Sequence, residues 1–295
     1  MRGLLGGLVL AVIVLSAIYV AIYPPYIAPK VRLLPFGGRE VVLARYATSP
    51  KEYPGVKELS LSFKLKSGGV SLGVTEEPVI YEILVKGREG ERVKPPAISA
   101  KALGSRLVVN VTAEKGTFEV LLGANYTHRC ALEMCLGGFK ASLPDGAKVE
   151  ELKVVVRSAG GIDLEAEGRQ ALERANLAVG TGGIMMRLNG IEVTGNSSIE
   201  AHVSLGGISV EELSPASATA YRVVGSVGVG GLKAEHEGFK VLLLTNRELE
   251  METPSYAGSK NRLDVTLRVD TGGLSIGKWG APPFGVTIPR EWLKA

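Results

Sequence analysis

Histidine and cysteine are the scarcest of the side chains in this sequence that could bind a metal or act in catalysis. The 295 residues contain three histidines, His128, His202 and His236, and two cysteines, Cys130 and Cys135. A metal site needs several such ligands that converge on one point. The three histidines are scattered, and we expect His128 in a loop beside the cysteines. The sequence therefore predicts ordinary surface histidines and no metal site.

The two cysteines flank the segment RCALEMC, in which they are five residues apart. This spacing is too wide for the C-x-x-C motif of redox enzymes. In an oxidising compartment, two cysteines this close in sequence can close a small loop. The sequence therefore predicts a disulfide between Cys130 and Cys135, with two free thiols as the alternative.

The carboxylates show no pattern typical of a catalytic pair. Asp163 and Glu165, for example, alternate with Ile162 and Leu164, as on the solvated face of a strand. The sequence contains no G-x-S-x-G, no H-E-x-x-H and no calcium-binding nonapeptide repeat. Its Gly-Gly pairs are not followed by the Lys-Ser/Thr of a phosphate loop. We therefore expect no catalytic residues and no cofactor, and a protein that is not an enzyme.

An uncharged stretch at the N-terminus, Gly3–Tyr23, precedes the part of the chain that would carry any site. It is long enough to cross a hydrocarbon core of about 30 Å as a helix. Tyr19, Tyr23 and Tyr26 cluster at its far end, as in an interfacial aromatic belt. The sequence predicts an uncleaved transmembrane signal anchor over residues 1–23. A cleaved signal peptide and a buried core helix are the alternatives.

The orientation of this anchor is predicted from conflicting signals. Arg2 precedes the helix, whereas Lys30, Arg32 and Arg39 follow it. Because basic residues are enriched on the cytoplasmic side of a membrane span, this count would place the part of the chain after the helix in the cytoplasm. Two other features, the cysteine pair and three glycosylation acceptor triplets, favour the outside. The acceptor residues of those triplets are Asn110, Asn125 and Asn196. We expect a single-pass protein of the cell membrane, with the bulk of the chain extracellular.

A Gly-Gly pair recurs along the chain and marks an internal repeat. From Gly137 onward the intervals between pairs are 23, 22, 24, 24 and 42 residues, the last close to two periods. This pattern predicts units of roughly 23 residues, with a missing pair replaced by Asn246-Arg247. One related unit begins near Leu59, and the segment between it and Gly137 is expected to be irregular. The first glycines of the pairs are Gly68, Gly137, Gly160, Gly182, Gly206, Gly230 and Gly272.

Apolar and polar residues alternate on both sides of each pair, which indicates two half-buried strands. Around Gly206 the apolar positions are Ala201, Val203, Ile208 and Val210, so their parity changes across the glycines. The chain must therefore bend there, and glycine tolerates the positive φ that such a bend requires. The sequence predicts an all-β, β-solenoid-like stack, or alternatively a sandwich of antiparallel hairpins with Gly-Gly turns.

The domain organisation predicted from these signals has four parts. The transmembrane anchor, 1–23, is followed by a Pro-rich spacer with an initial strand, 24–55. An irregular β region with one repeat-like unit is expected over 56–135. The β-repeat domain with a C-terminal cap is expected over 136–295.

The repeated S/T/L-G-G-I/L/V motif resembles the putative-adhesin (toastrack-like) domain family of prokaryotic envelope proteins. The motifs that carry the resemblance are Ser67-Gly-Gly-Val70, Thr181-Gly-Gly-Ile184, Leu205-Gly-Gly-Ile208 and Thr271-Gly-Gly-Leu274. The resemblance covers roughly residues 59–277 with a gap in the middle. It implies a β-helix-type stack on a membrane anchor at the cell surface. It implies no individual functional residue.

The expected function follows from the anchor, the repeats and the scarcity of catalytic groups. We expect a structural or adhesive surface protein that binds a glycan, an envelope protein or copies of itself. The formal net charge is only +4, and basic residues are interspersed with acidic ones, so no nucleic-acid partner is expected. A polysaccharide-active enzyme is one alternative and would need carboxylates clustered with Lys or Arg on one face. A pilin-like filament subunit is the other.

Overall fold

The computed structural model describes residues 40–88, 93–235 and 237–277. These residues form an all-β structure with an open, mixed sheet, consistent with a β-solenoid-like fold. Within these ranges, no helix has the length and hydropathy needed to span a bilayer. The predicted anchor, residues 24–39 of the predicted spacer and the end of the predicted C-terminal cap lie outside the described residues.

Thirteen strands and one short 3₁₀ turn, Tyr256–Gly258, make up the described structure. Eight of the strands are long, between 15 and 22 residues. The strands are β1 (Glu40–Thr48), β2 (Glu58–Thr75), β3 (Tyr81–Arg88), β4 (Ala97–Leu103), β5 (Arg106–Gly123), β6 (Thr127–Leu143), β7 (Val149–Gln170), β8 (Arg174–Val193), β9 (Asn196–Ser214), β10 (Ala220–Ala234), β11 (Lys240–Leu244), β12 (Glu248–Glu252) and β13 (Arg262–Ile276).

The eight long strands pair in parallel, in the spatial order β5-β2-β6-β7-β8-β9-β13-β10. Each contributes one glycine to a column in which every glycine is paired with the glycine of the next strand. We call this column the glycine ladder. In spatial order it consists of Gly116, Gly68, Gly137, Gly160, Gly182, Gly206, Gly272 and Gly230.

Each long strand divides at its ladder glycine into two arms, called here the first arm, before the glycine, and the second arm, after it. In β9 the buried residues include Ala201 and Val203 in the first arm and Ile208 and Val210 in the second. The parity of burial therefore changes at the ladder, as predicted. Gly206 has φ +138°, a conformation that side-chain-bearing residues rarely adopt. The apolar residues of both arms form one continuous core along the stack.

The Gly-Gly pairs are not hairpin turns. Each pair lies inside a strand that pairs in parallel with its neighbours, so the alternative of a hairpin sandwich is wrong. Among the thirteen described strands, antiparallel pairing occurs only at the two ends of the stack.

The repeat differs from the predicted one in two places. The segment expected to be irregular contains β5, a complete unit whose corner is Gly116-Thr117 and which pairs with β2 in register. The predicted unit at Asn246-Arg247 is absent, because these residues form the turn of the antiparallel β11–β12 hairpin. The 42-residue interval thus contains a hairpin where a repeat was expected.

Both ends of the stack are built out of sequence order. At one end β5 stacks outside β2, and β3 and β4 cap its second and first arms. At the other end β10 is the outermost long strand, and β13 lies between β9 and β10 and pairs with both. The β11–β12 hairpin then pairs with the first arm of β10.

Candidate functional site

The outward side chains of the first arms form a repetitive surface across all eight long strands, called here the outer face. Because the strands are in register, equivalent outward positions line up in rows across the stack at the spacing of neighbouring strands, about 4.8 Å. One row consists of Asn110, Ser62, Ala131, Lys153, Asn176, Glu200, Thr266 and Val224. Such rows present the same position once per strand.

Charged residues of the outer face pair with opposite charges on neighbouring strands. Arg106 Nη2 lies 2.7 Å from Glu58 Oε2, and Arg157 Nε lies 2.6 Å from Glu133 Oε1. The hydrogen bond from Arg157 is the largest cause that lowers the pKa of Glu133. Exposed pairs of this kind contribute little to stability, but they leave the outer face with mixed charge.

His202 forms part of a polar cluster on the outer face. Its Nε2 lies 3.0 Å from Asp270 Oδ2, and Arg268 Nε donates to Asp270 Oδ1 at 3.1 Å. The hydrogen bond with His202, followed by that from Arg268, lowers the pKa of Asp270. His202 is therefore a half-exposed surface residue. His236 lies outside the described residues.

Carboxylates converge around one arginine on the second arms. Arg187 Nε lies 3.0 Å from Glu211, and its Nη1 lies 3.4 Å from Asp163 and 3.8 Å from Glu165. Partial burial acts to lower the pKa of Arg187, but the three negative charges outweigh it and raise that pKa. The cluster joins three consecutive long strands, and sequence spacing alone did not reveal it.

The two cysteines are not joined by a disulfide. Both lie in β6, where residues five apart are about 16 Å apart and point to opposite faces, whereas a disulfide requires Cα atoms about 6 Å apart. Cys130 points into the core and burial raises its pKa to about 12, whereas Cys135 is exposed on the outer face. The predicted disulfide is therefore contradicted by the strand geometry.

His128 is the polar residue that the sequence placed least well. It is not in a loop but is the second residue of β6, where only 1% of its surface is exposed. Its Nε2 lies 2.9 Å from the carbonyl oxygen of Gly123, and its buried Nδ1 has no partner among the described residues. Burial, opposed by this hydrogen bond, lowers its pKa to about 4.

The three predicted glycosylation asparagines are all exposed. Asn110 lies on the outer face in β5, Asn125 in the turn between β5 and β6, and Asn196 at the start of β9. Their use as acceptors stays a prediction.

The structure brings some predicted residues together and separates others. His128, His202 and the two cysteines do not converge, and in the described ranges no three His, Cys, Asp or Glu side chains could hold a metal ion. The groups that do converge are ion pairs on the outer face and the carboxylates around Arg187.

Comparison with solved structures finds a similar fold in the crystal structure of a protein from Clostridium sporogenes described as a putative cell adhesion protein. The TM-score is 0.51 and the sequence identity 13%, over 82% of this chain and 100% of that one. No protein-family model matches the sequence. None of the curated proteins matches it either. At 13% identity, the likeness supports the all-β fold alone.

Proposed function

We propose that this chain is a non-catalytic adhesive or structural protein of the cell surface, held to the membrane by residues 1–23 with its β-repeat domain outside. The observation that carries the proposal is the outer face. Eight parallel strands present equivalent outward positions in register at a spacing of about 4.8 Å. A surface of this kind offers many similar, shallow positions to a partner.

Repetition favours weak contacts that act together. When one contact forms, the next becomes intramolecular, so several weak contacts yield a high overall affinity. A partner that is itself repetitive, such as a surface glycan or an envelope lattice protein, can use successive positions of the outer face. Polar and charged side chains of both signs suit the hydroxyl groups of a glycan better than they suit a polyanion.

The comparison with the Clostridium sporogenes protein supports a role in adhesion. That protein is described as a putative cell adhesion protein, and its whole length corresponds to 82% of this chain. The resemblance of the Gly-Gly motifs to the putative-adhesin family also points to the cell surface. Neither the anchor nor the partner rests on that comparison.

Binding of the full chain to immobilised envelope polysaccharide tests the proposal. We expect the double variant Lys153→Ala, Glu200→Ala to be retained about fivefold less well, because several outer-face contacts are lost together. The matched control is Lys140→Ala, Glu173→Ala, which removes the same residue types from exposed positions away from the outer face. Equal retention of the two variants would show that the outer face does not bind the polysaccharide.

A polysaccharide-active enzyme is the second candidate, favoured by the carboxylates around Arg187. Glycosidases use two carboxyl groups about 5–9.5 Å apart, and Glu165 and Glu211 flank the same guanidinium. The full chain would then release sugar from a polysaccharide, and Glu165→Gln or Glu211→Gln would abolish that release. We expect no release, because Arg187 already binds all three carboxylates.

A further inference from the structure

At both ends of the stack, the sheet formed by the first arms ends in an edge strand that, among the described residues, is paired on one side only. Its order is β4-β5-β2-β6-β7-β8-β9-β13-β10-β12-β11. Among the described residues, β4 pairs only with β5, and β11 only with β12. Each of these strands therefore presents a row of backbone N–H and C=O groups that can receive another strand.

Both edge strands are apolar and exposed. In β11, Leu242, Leu243 and Leu244 are 44%, 41% and 46% exposed, and in β4 Leu103 is 54% exposed. Most edges are protected by charges, prolines or bulges. In β11 these devices amount to Lys240 and one bulge between Val241 and Leu243, and in β4 to Lys101.

The directions of the two edge strands are complementary. β4 is antiparallel to β5 and so runs opposite to the eight long strands. β12 is antiparallel to β10 and β11 is antiparallel to β12, so β11 runs with the long strands. If a second copy is stacked in the same orientation, its β4 meets β11 antiparallel, which is the more stable form of pairing.

The side chains of the two edges also fit one another. The core-facing residues of β4 include Ala100 and Ala102, which pair with buried residues of β5, and both are small and exposed. The core-facing positions of β11 include Val241 and Leu244, which are larger. Small residues on one side and large ones on the other allow the core to continue from copy to copy.

Charge favours the same arrangement. Lys101 lies on the outward side of β4, and the outward residues of β12 are Glu248, Glu250 and Glu252. Stacking would place Lys101 two strand spacings, about 10 Å, from these carboxylates, within reach of extended side chains.

We propose that copies of this chain associate head to tail, with β11 of one copy paired to β4 of the next. Such an interface is heterologous: it uses different surfaces of the two copies, so addition can continue into a row. It does not involve the outer face, so loss of glycan binding would leave it intact. A row of copies would extend the outer face.

Sedimentation of the full chain in detergent, over a range of concentrations, tests the association. We expect oligomers, and we expect Leu243→Lys to weaken association at least about tenfold, because it places a charge in the new strand pair. The matched control is Leu136→Lys, because Leu136 is 49% exposed and lies in β6, away from both ends. Equal melting temperatures would show that both variants fold. A monomeric full chain, or equal weakening by both substitutions, would overturn the proposal.

Crosslinking tests the head-to-tail geometry. In a Cys135→Ser background, where the remaining Cys130 is buried, Ser99→Cys and Leu243→Cys are made in separate chains, because both residues lie on the outward sides of their strands. A short bis-maleimide should link the two variants only when they are mixed. Links within either variant alone would contradict head-to-tail pairing. A chain that associates only after residues 278–295 are removed would also overturn the proposal, because that segment would then occupy the edge.

Discussion

In β6 the side chain of every second residue points into the core, and this alternation decides the chemistry of His128, Cys130 and Cys135. The first two share the inward parity with Leu132 and Met134, whereas Cys135 has the outward parity. The same geometry that forbids a disulfide gives the two thiols different environments. It also buries a histidine that the sequence suggested would be exposed.

Buried His128 should make the stability depend on pH. Its folded pKa of about 4 lies below the usual 6.5, so as pH falls the unfolded chain binds the proton first. The free energy of unfolding should be fully retained above about pH 6.5 and fall by on the order of 3 kcal/mol by about pH 4.

Denaturant unfolding at several pH values measures this effect. His128→Gln should lose most of the slope between pH 6.5 and 4, whereas the control His202→Gln should keep it, because His202 is half-exposed and paired with Asp270. An equal slope in the His128→Gln variant would show that other groups cause the acid sensitivity.

The two thiols should react at different rates. An exposed thiol forms the reactive thiolate far more readily than a buried one, and burial raises the pKa of Cys130 to about 12. A thiol reagent should modify one cysteine, Cys135, in the folded protein and both after unfolding. Mass spectrometry that finds no free thiol in the native protein would restore the disulfide.

The alternation that places His128 and Cys130 inside and Cys135 outside is visible in the sequence. In HRCALEMC the residues His128, Cys130, Leu132 and Met134 alternate with more polar ones. Reading this segment as a strand, and not as a loop, predicts both the burial of His128 and the separation of the cysteines. The carboxylates around Arg187 were not predictable in this way, because they come from strands whose register only the folded stack defines.

At the scale of the strands, the glycine ladder controls how closely neighbouring corners approach. A Cβ atom at Gly182 would lie only 1.8 Å from the carbonyl oxygen of Gly160, and Gly182 has φ +134°. The neighbouring Gly183 does not share the positive φ, and its Cβ would lie 3.4 Å from the nearest atom, a carbonyl oxygen. The first glycine of the pair is therefore required by contact and by conformation, the second much less.

Substituting the two glycines of one pair tests this distinction. We expect Gly182→Ala to lower the free energy of unfolding by at least about 3 kcal/mol, through backbone overlap and strain, and Gly183→Ala by less than about 1 kcal/mol. Denaturant unfolding of both variants measures the difference. Similar losses of unfolding free energy in the two variants would mean that the bend does not require glycine specifically at the ladder position.

Substitutions at inward and outward positions of the arms should differ as strongly in their effect on the free energy of unfolding. Val203 and Leu267 are fully buried, so changing either to Asp would bury an unpaired carboxylate and cost several kcal/mol. Glu200→Ser, on the outer face, should change stability by no more than about 0.5 kcal/mol. Asp264 accepts a hydrogen bond from Tyr256 at 2.5 Å, so Asp264→Ser should cost more than Glu200→Ser. Comparable melting temperatures for the buried and exposed variants would contradict the assignment of faces.

The sequence predicted seven of the eight ladder glycines because each belongs to a Gly-Gly pair with a change of parity. It missed Gly116, where Thr117 replaces the second glycine. The weak requirement at the second position explains why such a replacement is tolerated. The sequence pattern also predicted a repeat at Asn246-Arg247, where the structure has a hairpin, because a hairpin of alternating residues has the same local pattern as two arms.

At the scale of the whole molecule, the order of the strands could not be read from the sequence. β13 lies between β9 and β10, and β2 between β5 and β6. Each of these strands has the same alternating pattern, so local periodicity cannot say which of them are neighbours. Only the register of long-range pairing distinguishes the arrangements.

The predicted anchor and topology are tested on intact cells. Protease added outside should degrade the domain over residues 40–277, because we expect residues 1–23 to hold it on the outer surface. A cytoplasmic protein serves as the control for cell integrity. Protection that is lost only after lysis would reverse the predicted topology.

Attachment of cells to an immobilised envelope polysaccharide tests whether the chain acts as an adhesin through a displayed, repetitive surface. Cells with the full chain should attach markedly better than cells whose chain lacks residues 1–23, although the freed domain still folds, because display makes the contacts multivalent. The Lys153→Ala, Glu200→Ala variant should attach less well than the Lys140→Ala, Glu173→Ala control. Equal attachment by cells with and without the anchored chain would show that the chain is not an adhesin for this polysaccharide.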